Sequence, residues 1–268
     1  MITIDTLSIE AIRARLAAAT VGRHLYLFDD VVSTNKVLRQ LARSGAAEGT
    51  VVLAERQTDG RGRLGRPWFS PGGVNLYASV LFRDGLAPVE APLFCFIASL
   101  AVADAIRDVG LHPAIKWPND VLVGRKKVAG ALMECATRGS TVDFLVVGVG
   151  VNLNVDQASL RSALGPAGVG ATSLAAVLGR EVDRNAFAAS YLNHLDAWAR
   201  RFRAEGPAPI LAAWRQRDIL TGRRVEARGE RESFDGRVLG VSDAGRLLVQ
   251  PPSGEPRAIL NEEIRVLD

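Results

Sequence analysis

The sequence predicts an α+β fold, a mixed β-sheet flanked by helices with a small C-terminal β-barrel of SH3-like type. Three observations carry that prediction. Segments of helical and of strand periodicity succeed one another up to about Ile219. From Arg223 the apolar period falls to about two, with turns at Arg228-Gly229-Glu230, Asp243-Ala244-Gly245 and Pro252-Ser253-Gly254. A chain of 268 residues that is 48% apolar suffices for one large and one small core. The expected division is residues 1–218 and 219–268.

Ser8 caps a first helix in which Ile9, Ile12 and Leu16 recur at helical spacing until Gly22 stops it. His24 to Phe28 alternates as a strand. Val37, Leu38 and Leu41 then mark a helix behind Ser33-Thr34-Asn35, a triplet suited to an N-cap. The free N–H groups of a helix N-terminus also suit a polar ligand. Thr50 to Ala54 is an apolar strand, and Asn75 to Phe82 is another, ending at the turn Arg83-Asp84-Gly85. Pro92 to Val109 is strongly apolar and carries Ala98, Ala101, Ala103 and Ala105, which fits a buried central helix.

A strand ends at Lys116, and Pro118 forces the chain to turn. After the Gly124 turn, Lys126-Lys127-Val128-Ala129-Gly130 starts a strand toward Met133, the lysine pair having the look of a solvated hairpin tip. Thr141 to Val147 is a buried strand. Arg184 to Arg203 is an amphipathic helix through Phe187, Tyr191, Leu195, Trp198 and Phe202, broken by Gly206-Pro207-Ala208-Pro209. A short helix around Leu211 to Trp214 follows.

Composition narrows the function. The net charge is +4, but the arginines are scattered and only Lys36, Lys116, Lys126 and Lys127 are lysines, so no nucleic-acid footprint is expected. No apolar run approaches the roughly 20 residues that cross a bilayer, and Met1 to Thr20 carries Asp5, Glu10, Arg13 and Arg15, so a cytoplasmic protein without a membrane partner is expected. Cys95 and Cys135 fit small buried thiols. His24, His112 and His194 fit structural roles, and no nucleophile–base arrangement stands out.

Three stretches carry chemistry. Arg56-Gln57-Thr58-Asp59-Gly60-Arg61-Gly62-Arg63-Leu64-Gly65-Arg66-Pro67-Trp68 must be a loop, since no buried strand or helix tolerates three glycines and so many arginines. Its glycines let backbone N–H groups converge on an anion, and its guanidinium forks match phosphate oxygens. It lacks the Gly-Lys-Ser/Thr ending of a P-loop, and no helix follows it. Trp68 either closes over the apolar part of a ligand or packs the base of the loop. The second stretch is Ile115-Lys116-Trp117-Pro118-Asn119-Asp120, where Lys116 is a solvated strand end or a catalytic cation. Asn119 and Asp120 orient that turn or help to hold a metal. The third is Gly148-Val149-Gly150-Val151-Asn152-Leu153-Asn154, fitting tight sheet packing or a flat ring beside the Asn152 amide.

Together with Ser33-Thr34-Asn35, these stretches, in this order and at these separations, resemble the catalytic core of biotin protein ligases from about Val31 to Asn154. The tail from about Thr221 resembles the barrel that ends many members. The resemblance implies ATP-dependent ligation of biotin to a protein through biotinyl-5'-AMP. Biotin and ATP are then substrates, Mg²⁺ assists, and the acceptor is a lysine of a biotin carboxyl carrier domain. It places Ser33, Thr34 and Asn35 on the ureido ring, with Gln57 and Gly130 also at biotin. Arg61, Gly62 and Arg63 enclose the carboxylate and the phosphate joined to it. Lys116 reaches both, so that Lys116 and Arg63 are the catalytic pair, and Arg66, Trp68 and Asn152 complete the adenylate side. Leu64 departs from members with a basic or polar residue there. Homodimers through the exposed sheet are common in the family, and nothing in this sequence demands one.

The core is preceded by some two dozen residues, whereas a winged helix-turn-helix needs roughly 60. The expected form is therefore one lacking the N-terminal DNA-binding domain. The alternatives are a lipoate–protein ligase or octanoyltransferase on the related fold, and a non-catalytic biotin sensor or DNA-binding repressor.

Overall fold

A computed structural model describes residues 6–83, 87–229, 232–260 and 262–268. Asp84 and Gly85 of one expected turn, and Glu230 of another, lie outside the described residues. Seven strands form the main sheet: β1 Leu25–Val31, β2 Val51–Gln57, β3 Leu76–Phe82, β4 Pro113–Lys116, β5 Asp120–Val123, β6 Lys126–Arg138 and β7 Thr141–Val151. Their order is β1-β2-β3-β7-β6-β5-β4. Only β1 and β2 pair in parallel, so the sheet is mixed, as the sequence predicts.

The described helices are α1 Ile9–Arg13, α2 Thr34–Arg43, α3 Leu93–Asp108, α4 Gln157–Leu164, α5 Leu174–Leu178, α6 Arg184–Glu205 and α7 Ala208–Arg215. Every residue of β3 is buried because helices cover both faces of the sheet. Leu76, Ala78, Val80 and Phe82 join the large core with α3, while Leu81 joins Leu38 and Ala42 of α2 in a smaller cluster. The period of two therefore puts Ser79 on the α2 side of the sheet. Ser79 is thus a small hydroxyl among apolar and aromatic neighbours on its strand.

The first helix is shorter than its apolar spacing suggests. The N–H groups of Ala17 and Ala18 donate to Asn193, and those of Ala19, Thr20 and Val21 donate to the carboxylate of Asp196. Acceptors on α6 thus take the donors that a longer helix would have kept for itself. The same helix begins with Arg184, fully buried and ion-paired to Glu55 of β2 at 2.8 Å. Cys135, expected inside, is exposed, since no residue of β6 beyond Ala131 is buried.

The C-terminal sheet has five strands, β8 Arg224–Arg228, β9 Ser233–Val241, β10 Leu247–Gln250, β11 Arg257–Ile259 and β12 Glu263–Val266, in the order β11-β10-β9-β8-β12 and antiparallel throughout. Its buried residues Val225, Val238 and Leu247 belong to the same core as α3 and α7. Contacts with the β4–β5 turn and with α7 help to fix it beside the main sheet. Trp117 Nε1 donates to the Gly245 carbonyl at 3.0 Å, and Arg215 donates to the Val241 carbonyl at 2.8 Å.

Candidate active site

The N-terminus of α2, the 58–68 loop, the β4–β5 turn, the glycines of β6 and β7, the 157–171 segment and the start of β12 enclose one cleft of about 330 Å³. All twelve residues singled out from the sequence line it: Ser33, Thr34, Asn35, Gln57, Arg61, Gly62, Arg63, Arg66, Trp68, Lys116, Gly130 and Asn152. The lining includes a neutral polar end, Ser33, Thr34, Asn35 and Gln57, tied together by hydrogen bonds, and a charged part in which Lys116, Lys127 and the arginines stand among Asp120, Glu262 and Glu263.

At the neutral end, Ser33 occupies the N-cap position of α2 with extended backbone, but its hydroxyl makes no cap hydrogen bond. The capping expectation holds for its backbone and fails for its side chain. Gln57 accepts from the Thr34 N–H at 3.0 Å and donates to Ser70 Oγ at 3.0 Å, so the end of β2 is tied to both α2 and the loop. Asn35 is almost wholly buried; its amide donates to Glu134 at 2.8 Å and to the Leu132 carbonyl at 3.3 Å. Glu134 in turn pairs with Arg39 at 2.7 Å. Ser79 Oγ lies 2.7 Å from Thr34 Oγ1 and 2.6 Å from Asn35 Oδ1.

The glycines of β7 make room for this chain's own side chains. A Cβ on Gly148 would stand 2.1 Å from Asn35 Oδ1, and one on Gly150 would stand 2.2 Å from Trp68 Nε1. The space beside Gly150 thus holds the Trp68 indole in this structure. Asn152, expected to offer its amide to an adenine edge, donates its Nδ2 to the Thr172 carbonyl at 3.1 Å. That bond turns the amide nitrogen toward the protein.

The arginine loop is a narrow turn closed on itself. Arg61 and Pro67 form an antiparallel bridge, Gly62 N–H donates to the Arg66 carbonyl at 2.8 Å, and Trp68 N–H donates to the Gly60 carbonyl at 2.8 Å. Leu64 adopts the left-handed backbone, φ 55°, and is exposed. Each arginine has a partner: Arg61 pairs with Asp59 at 2.6 Å, Arg66 with Glu263 of β12 at 2.6 Å, and the Arg63 guanidinium sits 5.7 Å from the Trp117 ring. Hydrogen bonds from Lys36 and Arg61 hold the Asp59 carboxyl below its ordinary range, and that from Arg66 does the same for Glu263. Burial pushes the Arg63 guanidinium down. Burial also pushes the nearby Cys95 thiol up to about 11, so it stays protonated at neutral pH.

Lys116 ends β4 at the wall of the cleft and forms no ion pair among the described residues. Lys127 is not the solvated hairpin tip that its sequence context suggests. It lines the cleft, pairs with Asp120 at 2.6 Å and lies 5.3 Å from the Trp68 ring. Asn119 anchors the β4–β5 turn to β6 by donating to the Ala131 carbonyl at 2.6 Å. No group of three or more His, Cys, Asp or Glu among the described residues could cage a metal. Asp120 is the carboxylate that the β4–β5 turn presents to the cleft.

Residues 27–152 match the biotin/lipoate A/B protein ligase family, and residues 220–267 match the biotin protein ligase C-terminal domain. The chain is 37% identical over 246 residues to a biotin–[acetyl-CoA-carboxylase] ligase of Mycobacterium tuberculosis, covering 88% of this chain and 87% of the relative. It is 32% identical over 249 residues to the bifunctional ligase/repressor BirA of Bacillus subtilis, covering 92% of this chain and 76% of that protein. The structure of a biotin protein ligase from Aquifex aeolicus in complex with biotin and ATP superposes with a TM-score of 0.76 at 28% identity, over 91% of this chain and 100% of that one. With the motifs gathered in one cleft and both parts of the chain matched, the chain belongs to the biotin protein ligase family and is a ligase.

Proposed function

We propose that the chain condenses biotin with ATP to biotinyl-5'-AMP and then passes biotin to a lysine of a biotin carboxyl carrier domain. The observation that carries this is the division of the cleft. Biotin has a neutral ureido ring at one end and a carboxylate at the other, and the cleft is lined both by a hydrogen-bonded set of hydroxyl and amide groups and by Lys116 and the arginines. Ser33, Thr34, Asn35 and Gln57 receive the ring. Gly130 and Trp68 flank the apolar middle, and Arg61, Gly62, Arg63 and Lys116 receive the carboxylate and the α-phosphate. Arg66 and Asn152 serve the nucleotide side, where the Asn152 amide oxygen faces the base.

In the first step a carboxylate oxygen bonds to the α-phosphorus and the bond to pyrophosphate breaks. The obstacle is that both partners are anions, which at about 4 Å and an effective dielectric near 20 repel by about 4 kcal/mol. Lys116, whose charge is felt by the Glu263 carboxylate without a close ion pair, and Arg63, half-buried against Trp117, supply the opposing charge where it develops. Arg61 and Arg66 exchange Asp59 and Glu263 for phosphate oxygens as the loop takes up substrate. In the second step the carrier's lysine amine attacks the acyl carbon, loses a proton, and AMP leaves. No nucleophile on this chain is needed.

A magnesium ion on the triphosphate would offset its charge, and Asp120, here paired with Lys127 at 2.6 Å, is the carboxylate of the β4–β5 turn that would help to hold it. The reading treats residues 1–218 as the substrate-binding unit and 219–268 as the barrel whose Glu263 holds Arg66. It includes no sequence-specific DNA partner, because the positive charge is dispersed, and it places the protein in the cytoplasm. No described helix is long and apolar enough to cross a membrane.

Pyrophosphate exchange into ATP tests the proposal and its rivals together. Exchange that depends on biotin is expected. Exchange with lipoate in place of biotin would assign the chain to the related ligases, and no exchange with tight biotin binding would make it a sensor.

A further inference from the structure

Beneath the neutral end of the cleft lies a polar chain, buried at Thr34, Asn35 and Ser79 and partly exposed at Glu134, and its hydrogen bonds have a direction. Glu134, ion-paired to Arg39, and the Leu132 carbonyl are both pure acceptors, so Asn35 must turn its amide nitrogen to them and its oxygen toward Ser79. Ser79 is fully buried, and its one hydroxyl proton has two candidate acceptors, Asn35 Oδ1 at 2.6 Å and Thr34 Oγ1 at 2.7 Å. An amide oxygen can only accept, so it takes the proton. The contact with Thr34 then holds only if Thr34 gives its own proton to Ser79. The competing acceptor for Thr34, Gln57 Oε1 at 3.2 Å, lies beyond the usual O–H···O distance and already accepts from the Thr34 N–H.

We infer that Ser79 and Glu134, neither of which lines the cleft, are positioning residues that fix Thr34 Oγ1 as an acceptor, so that the site demands an N–H donor from its ligand. The inference rests on the reading of the cleft as a biotin site and adds to it a source of ring specificity. A ureido ring offers two N–H donors about one carbonyl, and Thr34 takes one of those donors. Ser33, whose hydroxyl has no cap bond, is free to donate to the carbonyl. Gly148 belongs to the same device, since a Cβ there would displace the oxygen of Asn35 and break the chain at its second link.

The probes are biotin and its two regioisomeric cyclic carbamates, each with one ring N–H replaced by an ether oxygen. Two fixed acceptors facing each other leave both unsatisfied, so the wild-type protein should bind one of the carbamates about tenfold or more weakly than biotin. In Ser79→Ala the Thr34 hydroxyl is released and can turn its proton to the ether oxygen, so that preference should fall to within about threefold. Glu134→Gln can orient its own amide either way, and its preference should lie between the two. Titration calorimetry reads the ratio of affinities, which a general loosening of the fold would not change, and the thermal midpoint of each variant shows that it is folded.

An undiminished preference in folded Ser79→Ala would overturn the inference. Equal wild-type affinity for biotin and both carbamates would do the same. If the wild-type chain does not bind biotin, the functional reading itself fails, a result distinct from either of these.

Discussion

The Arg66–Glu263 ion pair joins the arginine loop to the first residue of β12, and Glu263→Gln removes its charge while keeping its shape. At an effective dielectric near 20, unit charges about 4 Å apart attract by about 4 kcal/mol. These side chains are 60% and 44% exposed, and pairs so wetted keep only about 0.2–1 kcal/mol after screening. A loss of that size raises the open fraction of the loop by about 1.4- to 5-fold.

Limited trypsin digestion measures it directly. Cuts should fall after Arg61 and Arg63, because the bond from Arg66 precedes Pro67, and their rate follows the open population when opening is fast. The variant should be cut about 1.4–5 times faster at low salt, with the difference shrinking as salt is added. The sign of the pH effect is also fixed. The Glu263 carboxyl is held below its ordinary 4.5, so its contribution is complete above that value and is lost as pH falls through the lower folded one. The difference between variant and wild type should therefore be the same at pH 6 and pH 8. Equal cleavage of the two proteins at low salt, or first cuts elsewhere in the chain, would refute the latch.

Two further substitutions probe the scaffold. Arg184→Ala leaves Glu55 charged and nearly buried without its partner, and should cost about 3–5 kcal/mol, read as a lowered urea midpoint; a midpoint unchanged from wild type would mean that water or relaxation replaces the pair. Gly150→Ala drives a methyl to 2.2 Å from the Trp68 indole, so about 1–3 kcal/mol of stability should be lost and the loop that Trp68 anchors should become more sensitive to trypsin; a variant as stable and as resistant as wild type would contradict the packing.

The site was legible in the sequence because its residues break local rules. Glycines and arginines crowd the 60–66 loop, a lysine ends an apolar strand at 116, and Ser-Thr-Asn stands before a helix. The supporting layer was less legible. Ser79 shows only as one small hydroxyl side chain in the otherwise apolar or aromatic run Leu76–Phe82, and Glu134 looks like an ordinary strand residue until Asn35 and Arg39 close on it. Lys127 reads as a hairpin tip because its partners, Asp120 and Trp68, lie on other elements. Long-range partners also explain the overextended first helix, whose would-be last turn gives its N–H groups to Asn193 and Asp196, some 175 residues away. The glycines at 148 and 150 signal a close approach, but the sequence does not say that Asn35 and Trp68 make it.

Lys116 carries the central claim, that charge placed at the reacting phosphate drives the first step. Lys116→Ala should bind biotin with an affinity within about tenfold of wild type, while single-turnover formation of biotinyl-AMP falls by about a hundredfold or more, because the lost interaction strengthens as negative charge develops. Calorimetry and rapid-quench adenylation on the same preparation give both numbers. An unchanged adenylation rate, or a loss confined to biotin affinity, would contradict the account.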